Sequence, residues 1–310
     1  MSPTISDFAQ LAANAFGHGR VVPFLGAGVN LADRPDNETW EPGKGLPSGA
    51  ELASTLAKRY PYPSDEPPDD LPRVTQYIEV ASGETAIYDE FRELFAGSFK
   101  PTTAHRVLAE LPSTLRQKGR PSPYLLVVTT NYDDALEQAF DDADEEYDVV
   151  WYMAHGDFRG QFVHQSRGSE PTPIDDPSTS PISVEERNVV LKIHGAAHRP
   201  DPSFDSYVVT EDHYIEYLHG TDLLTEVPVK LKEKMIGSNF LFLGYRLGDW
   251  NLRVFLHGLW AMRDRTIKNW AVDRTIRELD RKFWQNRSVY MLEAPLTDYM
   301  TTLRERLERL

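Results

Sequence analysis

The chain has 310 residues, 40% hydrophobic and 26% charged, enough to bury a sizeable core as one large domain or two smaller ones. A formal net charge of −15 argues against general nucleic-acid binding, because phosphate attraction would have to overcome whole-chain repulsion. With no cysteine there is no disulfide and no thiolate zinc site, which fits a reducing cytoplasm, and no apolar stretch approaches the ~20 residues of a membrane-spanning helix.

Residues 1–10 lack the basic and apolar regions of a secretory signal, so the expected location is cytoplasmic. Ser6 to Phe16 reads as a short amphipathic helix with Phe8, Leu11, Ala12, Ala15 and Phe16 on one face. Val21 to Leu25 is an apolar strand that ends abruptly in Gly26-Ala27-Gly28. Asp33 to Gly45 is polar and rich in Pro and Gly, a mobile loop, and Ser48 is placed to cap a helix that buries Leu52, Leu56 and Tyr60. Pro61 to Pro72 is a proline-rich, acidic surface excursion, and helical spacing from about Leu71 to Leu111 predicts a helical insertion over residues 65–118.

Strand and helix alternation resumes at Tyr124–Val128. Further strands are predicted near Asp148–Tyr152, Val189–Ile193, Phe240–Leu243, Trp270–Val272 and Val289–Leu292. Helices are predicted at Tyr132–Phe140, Thr210–His219, Asp222–Met235, Asp249–Met262 and Arg274–Phe283, with a charged amphipathic helix over 296–310. Gln165 to Ser183 reads as a loop. The alternation implies an α/β fold, a doubly wound Rossmann-like parallel sheet flanked by helices, with ligands bound beyond the carboxyl ends of the strands. It is expected as one domain over 1–310, with the core at about 15–60 and 120–295. Between Asn251 and Arg287 nine basic residues face four acidic ones, either a solvated face or a docking surface in an otherwise acidic chain.

Four segments at strand ends carry chemistry. Gly26, Ala27 and Gly28 let the backbone turn tightly and let a phosphate approach bare N–H groups, or else simply end a strand. In Thr129-Thr130-Asn131-Tyr132-Asp133 an amide and a carboxylate follow a buried strand. Asn131 can bond a ribose hydroxyl or hold a water, and Asp133 can accept from a ligand amide, although both also suit helix capping. His194, with Gly195 clearing space beside its ring, stands where an imidazole can act as a base near neutral pH. His198 lies four residues on, with no third ligand for a metal in view. Gly244, Tyr245 and Asp249 form a glycine-containing loop suited to the adenosine end of a dinucleotide.

Taken together these segments resemble the sirtuin superfamily, in which a Gly-Ala-Gly-x-Ser loop, a Thr-Gln-Asn-x-Asp motif, a His-Gly pair and a later glycine loop recur in this order. They stand here as Gly26-Ala27-Gly28-Val29-Asn30, Thr129-Thr130-Asn131-Tyr132-Asp133, His194-Gly195 and Gly244-Tyr245, across roughly residues 15 to 260. The four-cysteine zinc module of protein-deacetylating sirtuins is absent. So is their Pro-Asp-Phe-Arg stretch, and Asn30 replaces the small serine. Leu46-Pro47-Ser48-Gly49 instead looks like a segment of the sirtuin-like domains in bacterial anti-phage systems.

The resemblance implies a NAD glycohydrolase, with NAD as substrate and no metal. Asn131 would position the ribose or the water, Asp133 would hold the nicotinamide carboxamide, and His194 would be the base. Gly26, Ala27, Gly28, Asn30 and Thr130 would line the nucleotide site with Gly244, Tyr245 and Asp249. It further implies a toxic antiviral effector gated by homo-oligomeric assembly. A separate sensor chain is implied too, such as a hexameric ATPase or an Argonaute-type subunit, since these 310 residues leave no span for a sensor. A NAD-dependent deacylase or ADP-ribosyltransferase, and a catalytically silent NAD or ADP-ribose sensor, are the alternatives.

Overall fold

Side chains alternate between the two faces of a strand, so an apolar run buried on both sides needs a helical layer on each face. A computed structural model describes residues 4–310 apart from 36, 37, 98, 220–222, 246, 248, 249 and 265, with the backbone alone at 218, 219, 250 and 251. The chain begins with α1 (Ile5–Gly17), β1 (Val21–Leu25), α2 (Gly49–Arg59), α3 (Leu71–Ser82), α4 (Glu84–Phe95) and α5 (Thr103–Gln117). It continues through β2 (Leu126–Thr129), α6 (Ala135–Asp142), β3 (Tyr147–Tyr152), β4 (Phe162–Ser166), β5 (Thr172–Pro173) and β6 (Asn188–Lys192). Next come α7 (Glu211–His219), α8 (Leu223–Glu226), α9 (Val229–Gly237), β7 (Asn239–Leu243) and α10 (Trp250–Ala261). β8 (Asn269–Asp273), α11 (Glu278–Gln285), β9 (Val289–Glu293) and α12 (Leu296–Glu308) complete the fold.

Among the described residues the strands form one sheet in the order β5-β4-β3-β6-β2-β1-β7-β8-β9. From β3 to β9 across the sheet every pairing is parallel, as the apolar runs predict. The exception is a hairpin-like extension, in which β4 and β5 add antiparallel to β3. The sequence reading placed no strand here and took 165–183 as loop. Only Phe162 and Val163 of β4 are buried, and the polar His164-Gln165-Ser166 carries no apolar alternation to read.

One face of the sheet, with Val21 and Leu25 of β1 and Val127 of β2, packs on α1, α5, α6 and α12. The other, with Val22, Phe24, Leu126 and Val128, packs on the later helices. A third apolar cluster joins α2, α3 and α4 with Tyr207 and Val209. α5 falls within the 65–118 span but packs against α12 and α6, in the sheet-flanking layer. Ser48 does cap α2: its hydroxyl accepts from the Glu51 N–H at 3.3 Å, and Glu51 accepts in return from the Ser48 N–H at 2.8 Å.

The basic stretch 251–287 is not the uniform docking surface its composition allows. Arg263 is 9% exposed, lies over the Phe240 ring and donates to the Ser238 carbonyl. Arg253 stacks on Phe283 and faces Asp280; Arg277 pairs with Asp280 and Lys282 with Glu278. Arg281 donates to the Met291 carbonyl at 3.0 Å. Ser288 and Ala294 bond across to β8, so Met291, an odd number of residues from both, turns outward, and Arg281 blunts the open sheet edge.

Candidate active site

Strand register decides where the four motifs fall. Leu25 of β1 pairs with Thr129 of β2 and with Leu243 of β7, and Thr129 pairs with Lys192 of β6. These four residues make one row across the sheet, and the glycine loops at Gly26 and Gly244 start directly beyond it. Asn131 and His194 stand two residues past the row on neighbouring strands. The chain leaves β1 toward β2 on one side and returns with β7 on the other, so the crevice between β1 and β7 is the topological switch point where such sheets bind ligands.

The loops after β1 and β7 interlock there. The Gly26 N–H donates to the Leu243 carbonyl at 3.1 Å and the Gly28 N–H to the Gly244 carbonyl at 2.9 Å. A Cβ on Gly28 would sit 2.6 Å from the Gly244 oxygen, and Gly244 itself has φ +61°. Side chains cannot be accommodated at this crossing. Two N–H groups that the sequence suggests for a phosphate are thus engaged within the chain, and Ala27 is the exposed residue of the turn. Tyr245 is buried, its ring perpendicular to Phe24 at 5.5 Å. Thr130 donates its N–H to the Leu25 carbonyl at 3.3 Å. Asp249 lies outside the described residues.

Asn131, Asp133 and His194 are 8%, 7% and 4% exposed, so little of their surface meets water. Asn131 Nδ2 donates to the Gly26 carbonyl at 3.3 Å, joining the loop after β2 to the glycine loop. Asp133 accepts at both carboxylate oxygens, from the Ala135 N–H at 3.1 Å and from Asn30 Nδ2 at 2.8 Å. It therefore holds the first N–H of α6 from one residue before the N-cap, Asp134, and also faces the β1 loop. Asn30 Oδ1 is buried with no partner among the described residues, an acceptor left beside this pair.

His194 packs edge to face against Tyr214 and Tyr217 of α7, with ring centroids 5.4 and 5.5 Å apart. Gly195 (φ +94°) does not clear space for that ring. A Cβ there would strike the Ser206 carbonyl, so the glycine serves a close backbone crossing. His198 stacks on Trp151, and its Nδ1 lies within hydrogen-bond distance of the Asp201 backbone, 3.0 Å from the carbonyl oxygen and 3.2 Å from the nitrogen, a structural role. No group of three or more His, Cys, Asp or Glu among the described residues is placed to hold a metal.

Three residues escape the sequence reading. His105 of α5 is buried and takes the Thr102 N–H on Nδ1 at 3.1 Å, so its neutral ring carries the proton on Nε2. Burial pushes its pKa down to about 4, against the opposing charge of Asp133. Lys192 and Glu137 form a buried ion pair at 2.6 Å below Asp133. A lysine inside Val189-Val190-Leu191-Lys192-Ile193 was the available signal, because a charge within a buried strand requires a partner. A cavity of about 210 Å³ opens beside Asn30, lined also by Leu46, Phe99, Lys100, Thr102 and His105.

A SIR2-like domain model matches residues 125–292, more than half of the chain. The chain belongs to the SIR2-like family. This SIR2-like chain is 26% identical over 207 residues to NAD(+) hydrolase ThsA of Acinetobacter baumannii, covering 66% of its own length and 34% of that protein. It is 25% identical over 243 residues to defense-associated sirtuin 2 of Bacillus subtilis, covering 77% of its own length and 19% of that protein. The SIR2-like chain thus spans about a third and a fifth of these two relatives.

Proposed function

We propose that this chain is a NAD glycohydrolase that splits NAD into nicotinamide and ADP-ribose, and that it serves as the toxic effector of a bacterial anti-phage system. One observation carries the reading: Gly26, Asn131, His194 and Gly244 all lie one or two residues past a single row of paired residues on four neighbouring strands, in a chain similar to a NAD(+) hydrolase. In this reading the pyrophosphate lies over the turn at Ala27, with the adenosine toward Gly244 and Tyr245. The cavity beside Asn30, at about 210 Å³, is smaller than the roughly 300–1,000 Å³ of a site for a whole ligand. It suits one ring of the dinucleotide, the nicotinamide, whose carboxamide would face Asp133 and the unpartnered Asn30 Oδ1.

The bond from the anomeric carbon to the pyridinium nitrogen breaks with its electron pair leaving on nitrogen. Nicotinamide departs neutral and needs no acid, while positive charge develops on the ribose. Water adds to the anomeric carbon and gives up a proton, which His194 accepts. Asn131 orients the water or a ribose hydroxyl. The buried setting keeps bulk water from competing with these contacts.

Free NAD hydrolysis is lethal to its host, so activity in this reading is gated by homo-oligomeric assembly in the cytoplasm and by a separate sensor chain. The test is to incubate the purified chain with NAD, with and without the product of its genomic neighbour, and to follow nicotinamide and ADP-ribose. Release of both supports the reading. No release under either condition overturns it.

A further inference from the structure

Replacing a buried ion pair by apolar side chains of similar volume is often neutral or stabilising, so stability alone does not account for a lysine inside β6. Lys192 is 2% exposed, and its ammonium reaches two acceptors: Glu137 Oε1 at 2.6 Å and the Asp133 backbone carbonyl at 2.5 Å. Glu137 sits in the first turn of α6, which starts where the loop after β2 ends. One ammonium thus joins the strand that leads to His194, the loop that carries Asn131 and Asp133, and the helix behind them.

The neighbouring ties run the same way. The Tyr132 carbonyl accepts from the Ala197 N–H at 2.9 Å, and the Tyr132 hydroxyl donates to the Val208 carbonyl at 2.7 Å. Asp134 accepts from Arg199 at 2.7 Å. Each residue from Tyr132 to Asp134 is therefore fastened to β6 or to the segment that follows His194. Among these ties the Lys192 contact is both charge-assisted and fully buried, the kind least weakened by solvent.

We infer that Lys192, held by Glu137, is a positioning residue that fixes Asn131 and Asp133 against His194. It touches no reacting atom; it sets the distance between the two halves of the site. The inference rests on the proposed hydrolase reading for its kinetic consequence, but the tie itself can be read without turnover.

The test compares the full chain with Lys192→Met/Glu137→Leu, which leaves no lone buried charge, and with Glu137→Gln, which keeps the Lys192–Asp133 contact. Three measurements are taken: melting temperature, nicotinamide release, and hydrogen–deuterium exchange of the peptide over residues 130–135. The double variant is expected to melt close to wild type and to exchange faster over that peptide. Its kcat should fall about 10- to 100-fold with KM little changed, as for a misplacement of reacting groups. Glu137→Gln, which leaves an amide oxygen for the ammonium, should lose less kcat than the double variant. A folded double variant with wild-type kcat, or with wild-type exchange over 130–135, overturns the inference, as does Glu137→Gln falling as low as the double variant. If the wild-type chain releases no nicotinamide, the hydrolase reading fails and the exchange comparison alone decides the tie.

Discussion

Asn131 and His194 each lie two residues past the paired ends of adjacent parallel strands, and both are buried. Alanine at either is expected to cut nicotinamide release about 10²- to 10⁴-fold, the usual range for losing a positioned acid–base group. Circular dichroism should stay unchanged. A folded variant that keeps more than about a tenth of wild-type release would remove that residue from the mechanism. His105 makes a different prediction. In the unfolded chain a histidine titrates near ~6.5, whereas in the fold burial holds this one at about 4. Between these values the unfolded state binds more protons. The stability contribution is therefore complete above pH ~6.5 and is lost as the pH falls toward 4. From pH 7 to pH 5 this group alone removes about 2 kcal/mol, and denaturant titrations of His105→Asn should show that much less acid sensitivity than wild type. An equal acid slope in the two proteins would contradict the assignment.

At the scale of elements, the interlocked loops set what the sheet tolerates. Gly244→Ala places a Cβ against the Gly28 backbone in a left-handed conformation, and should destabilise by more than about 2 kcal/mol in thermal melts. A melting temperature equal to wild type would show that the loops part easily. The central strands were legible because each is a short apolar run ended by Gly or by Asn and Asp. β4 was not, because its outer half is polar and its strand character comes only from pairing with β3. One helix expected over 222–235 divides into α8 and α9 at Pro228, whose fixed φ and missing N–H suit a helix start better than an interior. The motifs were legible as strand-end signals, and their alignment in one row is a property of register, which one sequence does not print. His105 was invisible for the same reason, and Lys192, although signalled by its place in an apolar strand, does not show in the sequence that its partners are Glu137 and the Asp133 carbonyl, both remote from it along the chain.

For the whole molecule, charge decides how copies meet. A chain at −15 repels its copies at low ionic strength, and within the basic stretch Arg253, Arg277 and Lys282 are paired with Asp280 and Glu278 of the same chain. Arg263→Glu would bury a carboxylate where a guanidinium now sits, so loss of assembly in that variant would report unfolding. Arg277 and Lys282, with side chains 75% and 72% exposed, are the informative positions. Reversing both to Glu takes the chain from −15 to −19 (two changes of −2) and should weaken self-association at low ionic strength in sedimentation, an effect that moderate salt reduces. Assembly gating carries a further expectation. Salt screens like-charge repulsion over a Debye length that shrinks from about 30 Å at 0.01 M to about 8 Å at 0.15 M. Self-association, and with it nicotinamide release per chain, should therefore rise with both protein concentration and moderate salt. Release per chain that is constant across a hundredfold dilution, in a preparation sedimenting as a monomer, would show that assembly does not control the site.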